Sequence, residues 1–211
     1  MSFFELPPPP PELPEHTFER QPWWGAPTNE LGVSTGLRLV LARTDDIAIA
    51  LIDAIAFSAG VEFTLAVLRR LPATEIDPFD HAFGMFIPGR KAAEELPRDL
   101  LRFGVQFADG RKATTTGGPA MLVESDPPAS PLLSPGGGGG GGARWDQSFW
   151  LWPLPTPGPV AFVVEWPSEG IELTRHELDA APILDASRGS EALWPEPPDA
   201  GGWSSSEQLA Q

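Results

Sequence analysis

Cysteine is absent from the 211-residue chain. That excludes disulfides, thiolate metal ligands and a catalytic thiol, and leaves no sign of an oxidising compartment. Positive charge is scarce: 14 Lys and Arg stand against 29 Asp and Glu, a formal net charge of −15. A surplus of that sign repels phosphate backbones and anionic bilayers, so neither nucleic acid nor a membrane is expected as a partner. The longest apolar stretch, Ile47 to Ala59, contains Asp53 and falls short of the roughly 20 residues that a membrane helix needs. The start, MSFFELPPPPPELPEH, has neither the basic region nor the apolar core of a secretory signal. A soluble, cytoplasmic protein is the expectation.

Proline (26) and glycine (22) make up nearly a quarter of the chain and are concentrated in a few stretches. Residues 1–21 read as a disordered arm in which Pro7 to Pro11 favour polyproline II. Such a run can dock in an aromatic groove, but with no basic residue beside it a spacer is the simpler reading. Residues 126–142, DPPASPLLSPGGGGGGG, read as a flexible loop, because glycine has no side chain to pack and the highest ordering cost. The loop lacks the Gly-x-x-x-x-Gly-Lys-Ser/Thr spacing of a phosphate-binding loop. Residues 195–211 form an acidic tail. Between the tails, 22–194 is read as a single domain, and 41% hydrophobic residues suffice for its core.

The stretch from Arg144 to Ile171 organises that domain, holding four of the eight tryptophans. Trp150, Trp152 and Leu154 alternate with Phe149 and Leu151; Val160, Phe162, Val164 and Trp166 alternate with Ala161 and Val163. Strands apolar on both faces belong inside a sheet. Pro155-Thr156-Pro157-Gly158-Pro159 between them predicts a turn joining antiparallel neighbours. Upstream, Leu37 to Ala42, Ile47 to Phe57 and Val61 to Val67 predict a meander. Its middle member, rich in alanine, also admits a buried helix, but its period of two favours a strand, with Asp53 interrupting the apolar face.

From Leu71 to Pro97 the pattern is lost apart from a short helix at Lys91 to Leu96, as in a crossing between sheets. Strands return at Leu101 to Phe107 and Arg111 to Thr115 around an Asp109-Gly110 hairpin signal, then at Ala120 to Glu124. Ile171 to Arg175 extends a last strand, and Asp179 is placed to cap a short helix with Pro182 in its first turn and Leu184 facing inward. The whole predicts an all-β fold: an antiparallel β-sandwich, immunoglobulin-like in one version, with a short C-terminal helix and disordered termini.

With its WDQSFWLWPLP and FVVEWPSEGI runs, the span from Trp23 to Trp194 resembles conserved hypothetical proteins of high-GC actinobacteria. Twelve arginines against two lysines are compatible with such a genome. The resemblance implies no activity.

Three histidines, His16, His81 and His176, show no metal-binding spacing, and no metal or cofactor is expected. Asp77, Asp80 and His81 form the one tight carboxylate and histidine group. They could serve as an acid/base pair or a weak metal site of a hydrolase or metal-dependent enzyme, although Asp-Pro and Asp-His in a loop more often make turns. A serine triad lacks its G-x-S-x-G elbow. Trp150, Trp152 and Trp166 could stack on a carbohydrate or small molecule; core packing is the competing reading, since their neighbours are aliphatic and not amide or carboxylate. Asp53 and Glu165 each break an apolar strand and call for a partner if buried, with Arg38, Arg69 and Arg144 as candidates. The leading reading is a non-catalytic β-sandwich acting through protein partners, ahead of the ligand-binding module and the enzyme.

Overall fold

The computed structural model describes residues 21–70, 96–116, 128 and 131–194. The expected proline-rich arm, most of the irregular crossing, the Ala120 to Glu124 strand and the acidic tail lie outside these residues.

The described chain is all-β with one α-helix. In chain order the strands are β1 (Glu30–Leu31), β2 (Val33–Ser34), β3 (Leu39–Arg43), β4 (Ile47–Ala56), β5 (Val61–Arg69) and β6 (Arg102–Gln106). They continue with β7 (Lys112–Thr114), β8 (Leu132–Gly141), β9 (Arg144–Trp152), β10 (Pro159–Trp166), β11 (Ile171–Asp179) and β12 (Glu191–Ala192). A six-stranded sheet runs β2-β4-β5-β9-β8 with β3 also on β4, and a four-stranded sheet runs β11-β10-β6-β7. Strands β1 and β12 form a separate pair. All pairings are antiparallel, and one apolar core draws on both larger sheets. Phe63 of the first sheet meets Phe162 of the second at 5.2 Å between ring centroids, and Phe149 meets Phe103 at 5.4 Å.

The meander β3-β4-β5 forms as its alternation predicts, and β4 is a strand, not a helix. Its faces are not those of a strict period of two. A bulge between Leu51 and Asp53 inserts one residue, so Ile47, Ile49 and Leu51 face the core before it and Ala54 and Ala56 after it. Asp53 thereby moves to the other face with Ile55, and the apolar face is unbroken. The Asp109-Gly110 turn closes the β6-β7 hairpin, with Gly110 at φ 87°.

Two expectations are corrected. Strands β9 and β10 are not neighbours: β9 lies between β5 and β8, and β10 between β11 and β6, in different sheets. The segment after Trp152 carries the chain from one sheet to the other. Proline marks the break in both cases, but its missing N–H does not say whether the next strand returns to the same sheet. The interior placement of both strands agrees with their two-sided apolar composition.

The second correction concerns 126–142, where residues 132–141 form an edge strand instead of a flexible loop. Its partner supplies the order that glycine lacks. The buried amide of Gln147 donates to the Gly136 and Gly137 carbonyls at 2.9 and 3.3 Å, and the Ser148 hydroxyl donates to Gly137 at 2.9 Å, across a register shift between Pro135 and Gly138. Glycine is needed at alternate positions. A Cβ on Gly136, Gly138 or Gly140 would lie within 2.4 Å of Ser148 Oγ, Gln147 Oε1 or the Arg144 carbonyl, whereas Gly137, Gly139 and Gly141 face open space.

After β11 the helix α1 (Ala181–Arg188) begins with Pro182 in its first turn, and Asp179 Oδ1 accepts the Ala181 N–H at 2.9 Å. Ile183 is its fully buried residue, and Leu184 packs at the core's margin.

These glycine environments set a test. Gly140→Ala drives a methyl into backbone and is expected to lower stability by about 1–3 kcal/mol. Gly139→Ala, one residue away, meets nothing and is expected to be neutral or to gain up to about 1 kcal/mol from a stiffer unfolded chain. Thermal or urea unfolding of the pair checks the contrast, and equal effects would contradict the strand assignment.

Candidate functional site

The three tryptophans singled out by sequence do not form a platform. Trp166 is 1% exposed and its indole N–H donates to the Asp99 carbonyl at 2.9 Å; Trp150 is 3% exposed and donates to the Pro22 carbonyl at 3.0 Å. Both satisfy the rule that a buried indole finds an acceptor. Trp152 is partly covered by Trp23, edge-on at 5.5 Å. The Gln21 to Trp24 segment thus folds back as a lid over the outward face of β9. Gly60 makes room beneath, since a Cβ there would lie 2.6 Å from the Trp150 ring.

Asp77, Asp80 and His81 lie outside the described residues, as does His16. His176 accompanies Thr174 in contacting the Leu41 carbonyl, at 2.8 and 2.9 Å. Leu41 sits at a register shift in β3, where its carbonyl meets these two side chains from the other sheet. A carbonyl only accepts, so the His176 Nε2 donates. Among the described residues no three His, Asp or Glu side chains gather to hold a metal, and no helix is long and apolar enough to cross a membrane.

The arginines pair differently from the expectation. Glu165 takes Arg102 at 2.5 Å, Arg69 makes a two-pronged bond to Glu169 at 2.9 and 3.2 Å, and Arg144 pairs with Asp146. Asp53 needs no cation: it accepts the Ser34 hydroxyl at 3.0 Å and the Ala54 N–H at 2.8 Å.

The site that geometry brings forward lies on the outward face of the four-stranded sheet, a groove of about 380 Å³. It arises because β6, β7, β10 and β11 send one alternate set of side chains to the core and the other set outward. The central row across the sheet is Arg175, Val163, Gly104 and Thr114, each the register partner of the next. The missing side chain of Gly104 makes the depression, and a Cβ there would meet Thr114 Cγ2 at 3.2 Å. Leu173 and Leu96, 64% and 50% exposed, stand at its margins. The rim is cationic. Arg102 is held by Glu165 and by the Leu96 and Pro97 carbonyls, while Arg175 donates to Gln106 Oε1 at 2.7 Å. Lys112, exposed on β7, has no carboxylate partner among the described residues.

Sequence reading missed this groove. Its one advance signal was Gly104 in the middle of a well-formed strand pattern, which often marks a close approach. The rest depends on which strands become neighbours.

Two measurements follow. Trp166→Ala and Trp150→Ala are each expected to cost about 3–5 kcal/mol, as filled core positions do, while the half-covered Trp152→Ala costs less. Denaturant unfolding of the three variants ranks them. The second concerns Glu62 on β5. Burial, and secondarily the Asp53 carboxylate, raises its carboxyl above the ordinary 4.5. The folded chain therefore holds that proton more tightly than the unfolded one, and the cost of ionised Glu62 is absent at low pH and fully present once pH exceeds the folded value. Glu62→Gln should raise the melting temperature at pH 7 by on the order of 1–2 °C and lose that gain below about pH 4, as scanning calorimetry would show.

No protein-family model matches the chain, and neither a curated protein nor a solved structure matches it.

Proposed function

We propose that the protein is a non-catalytic β-sandwich that works by binding a protein partner, and that the groove on its four-stranded sheet is the surface it uses. The observation that carries this is the contrast between two sets of apolar side chains. Trp150 and Trp166 are buried, the first under the Gln21 to Trp24 lid and the second in the core, whereas Leu173 is left 64% exposed beside a strand-wide depression. An exposed leucine alone is ordinary; set against Leu96, Val163 and Gly104 in one concavity it has the apolar centre and polar rim of an interface. A cytoplasmic setting accords with the absence of cysteine. The burial of two of the three tryptophans weighs against a carbohydrate platform.

The test compares two exposed leucines. Tagged wild type, Leu173→Asp and Leu31→Asp would be used to capture partners from the native host, with quantitative mass spectrometry. Leu31 is 59% exposed on β1, outside the groove, so both variants should melt like wild type. Leu173→Asp should reduce the specific partner by about tenfold or more, as loss of an interface anchor does, and Leu31→Asp should not. Unchanged capture by Leu173→Asp overturns the proposal.

A further inference from the structure

We infer that the groove recognises an acidic, extended peptide in which a carboxylate and an apolar residue stand at positions i and i+2. The inference rests on the binding reading above and names the chemistry of its partner.

Charge is the first argument. The chain carries −15 overall, yet the groove is lined by Arg102, Lys112 and Arg175 against Glu165, with Glu177 beside Arg175. Between residues 96 and 116, four bases (Arg98, Arg102, Arg111, Lys112) face two acids (Asp99, Asp109). Exposed charges farther away than about 8–10 Å are screened at physiological salt, so a bound ligand senses this local surplus more than the net charge.

The three cations are not equivalent. Arg102 is occupied by Glu165 and two carbonyls, so it shapes the wall. Arg175 is steadied chiefly by the neutral Gln106 amide, with Glu177 at 3.4 Å. A guanidinium positioned in this way keeps donors for a carboxylate. Lys112 supplies the second, mobile charge.

Spacing is the second argument. Arg175 belongs to the edge strand β11, but its guanidinium reaches over β10 to Gln106 of β6, the register partner of Lys112 on β7, so the two cations converge one outward row along from Val163 and Gly104. An extended peptide rises about 3.4 Å per residue and sends i, i+2 and i+4 to one side. Its i and i+2 side chains are therefore roughly 7 Å apart, the same step that separates successive outward rows of the sheet. With the carboxylate i at the two cations, an apolar i+2 side chain meets the next row, Val163 and the Gly104 depression.

The probes are two capped peptides, acetyl-Glu-Ser-Leu-Ser-Glu-amide and its Gln-Ser-Leu-Ser-Gln counterpart, titrated into the ¹⁵N-labelled full chain at low and high salt. The acidic peptide is expected to bind at least about tenfold more tightly, with salt-sensitive shifts at groove residues, and Lys112→Gln and Arg175→Gln should each erase most of that preference. Equal binding of the two peptides, both lost in Leu173→Asp, would overturn the acidic preference and leave the groove as a binding surface. An acidic preference untouched by Lys112→Gln and Arg175→Gln would also overturn the inference, since the peptide would be bound elsewhere. If neither peptide binds, the inference fails; the binding reading then stands if Leu173→Asp still loses its partner, and falls if capture is unchanged.

Discussion

Four phenylalanines hold the two sheets in their relation. Phe162 of β10 meets Phe63 edge-on and lies parallel to Phe103 at 6.5 Å, and Phe103 in turn meets Phe149 of β9. The first and last of these contacts cross between the sheets and the middle one lies within the four-stranded sheet, so neither sheet can slide without breaking a ring contact worth about 0.5–1.5 kcal/mol beyond the area it buries. Inward positions on both sheets are thereby fixed. Because side chains alternate, the same choice fixes what points outward, and the groove is the reverse side of the core.

The margins of the sheets are joined by polar links. Leu41, at the bulge of β3, presents its carbonyl to Thr174 and His176 of β11. Arg69 at the end of β5 reaches Glu169 in the short turn after β10, and its guanidinium lies 5.8 Å from the centre of the Trp166 ring. A partly buried two-pronged pair stacked on an indole has better geometry than an exposed ion pair. Both links cross between sheets, and Thr174 and His176 satisfy a carbonyl at the shifted β3 ladder.

Much of the fold was legible because its strands are long and their inward residues large: β5, β6 and β10 announce themselves through Val61, Phe63, Leu65, Phe103, Val105, Phe162 and Val164. What was hidden has physical causes. A bulge adds one residue without changing composition, so the shift at Ile52 that turns Asp53 outward leaves no mark in the sequence. Prolines 155, 157 and 159 report a break but not its destination. Glycine carries no strand preference, and β8 exists because Gln147 and Ser148 of its neighbour bind its carbonyls. The groove was hidden more deeply still: Thr114, Gly104, Val163 and Arg175 come from four strands, and only the pairing of β10 with β11 and β6, and of β6 with β7, sets them in one row. Tryptophan, in contrast, drew attention by its size, and size is what the core used.

The glycine strand gives this fold an unusual freedom. In an ordinary strand, adding or removing one residue exchanges the buried and exposed faces and ruins the packing. From Gly136 to Gly142 every residue is the same, so there are no two faces to exchange. A shortened or lengthened tract would bring another glycine beneath Gln147 and Ser148 and offer the same carbonyls. The edge can therefore vary in length over generations while the sheet behind it stays in register.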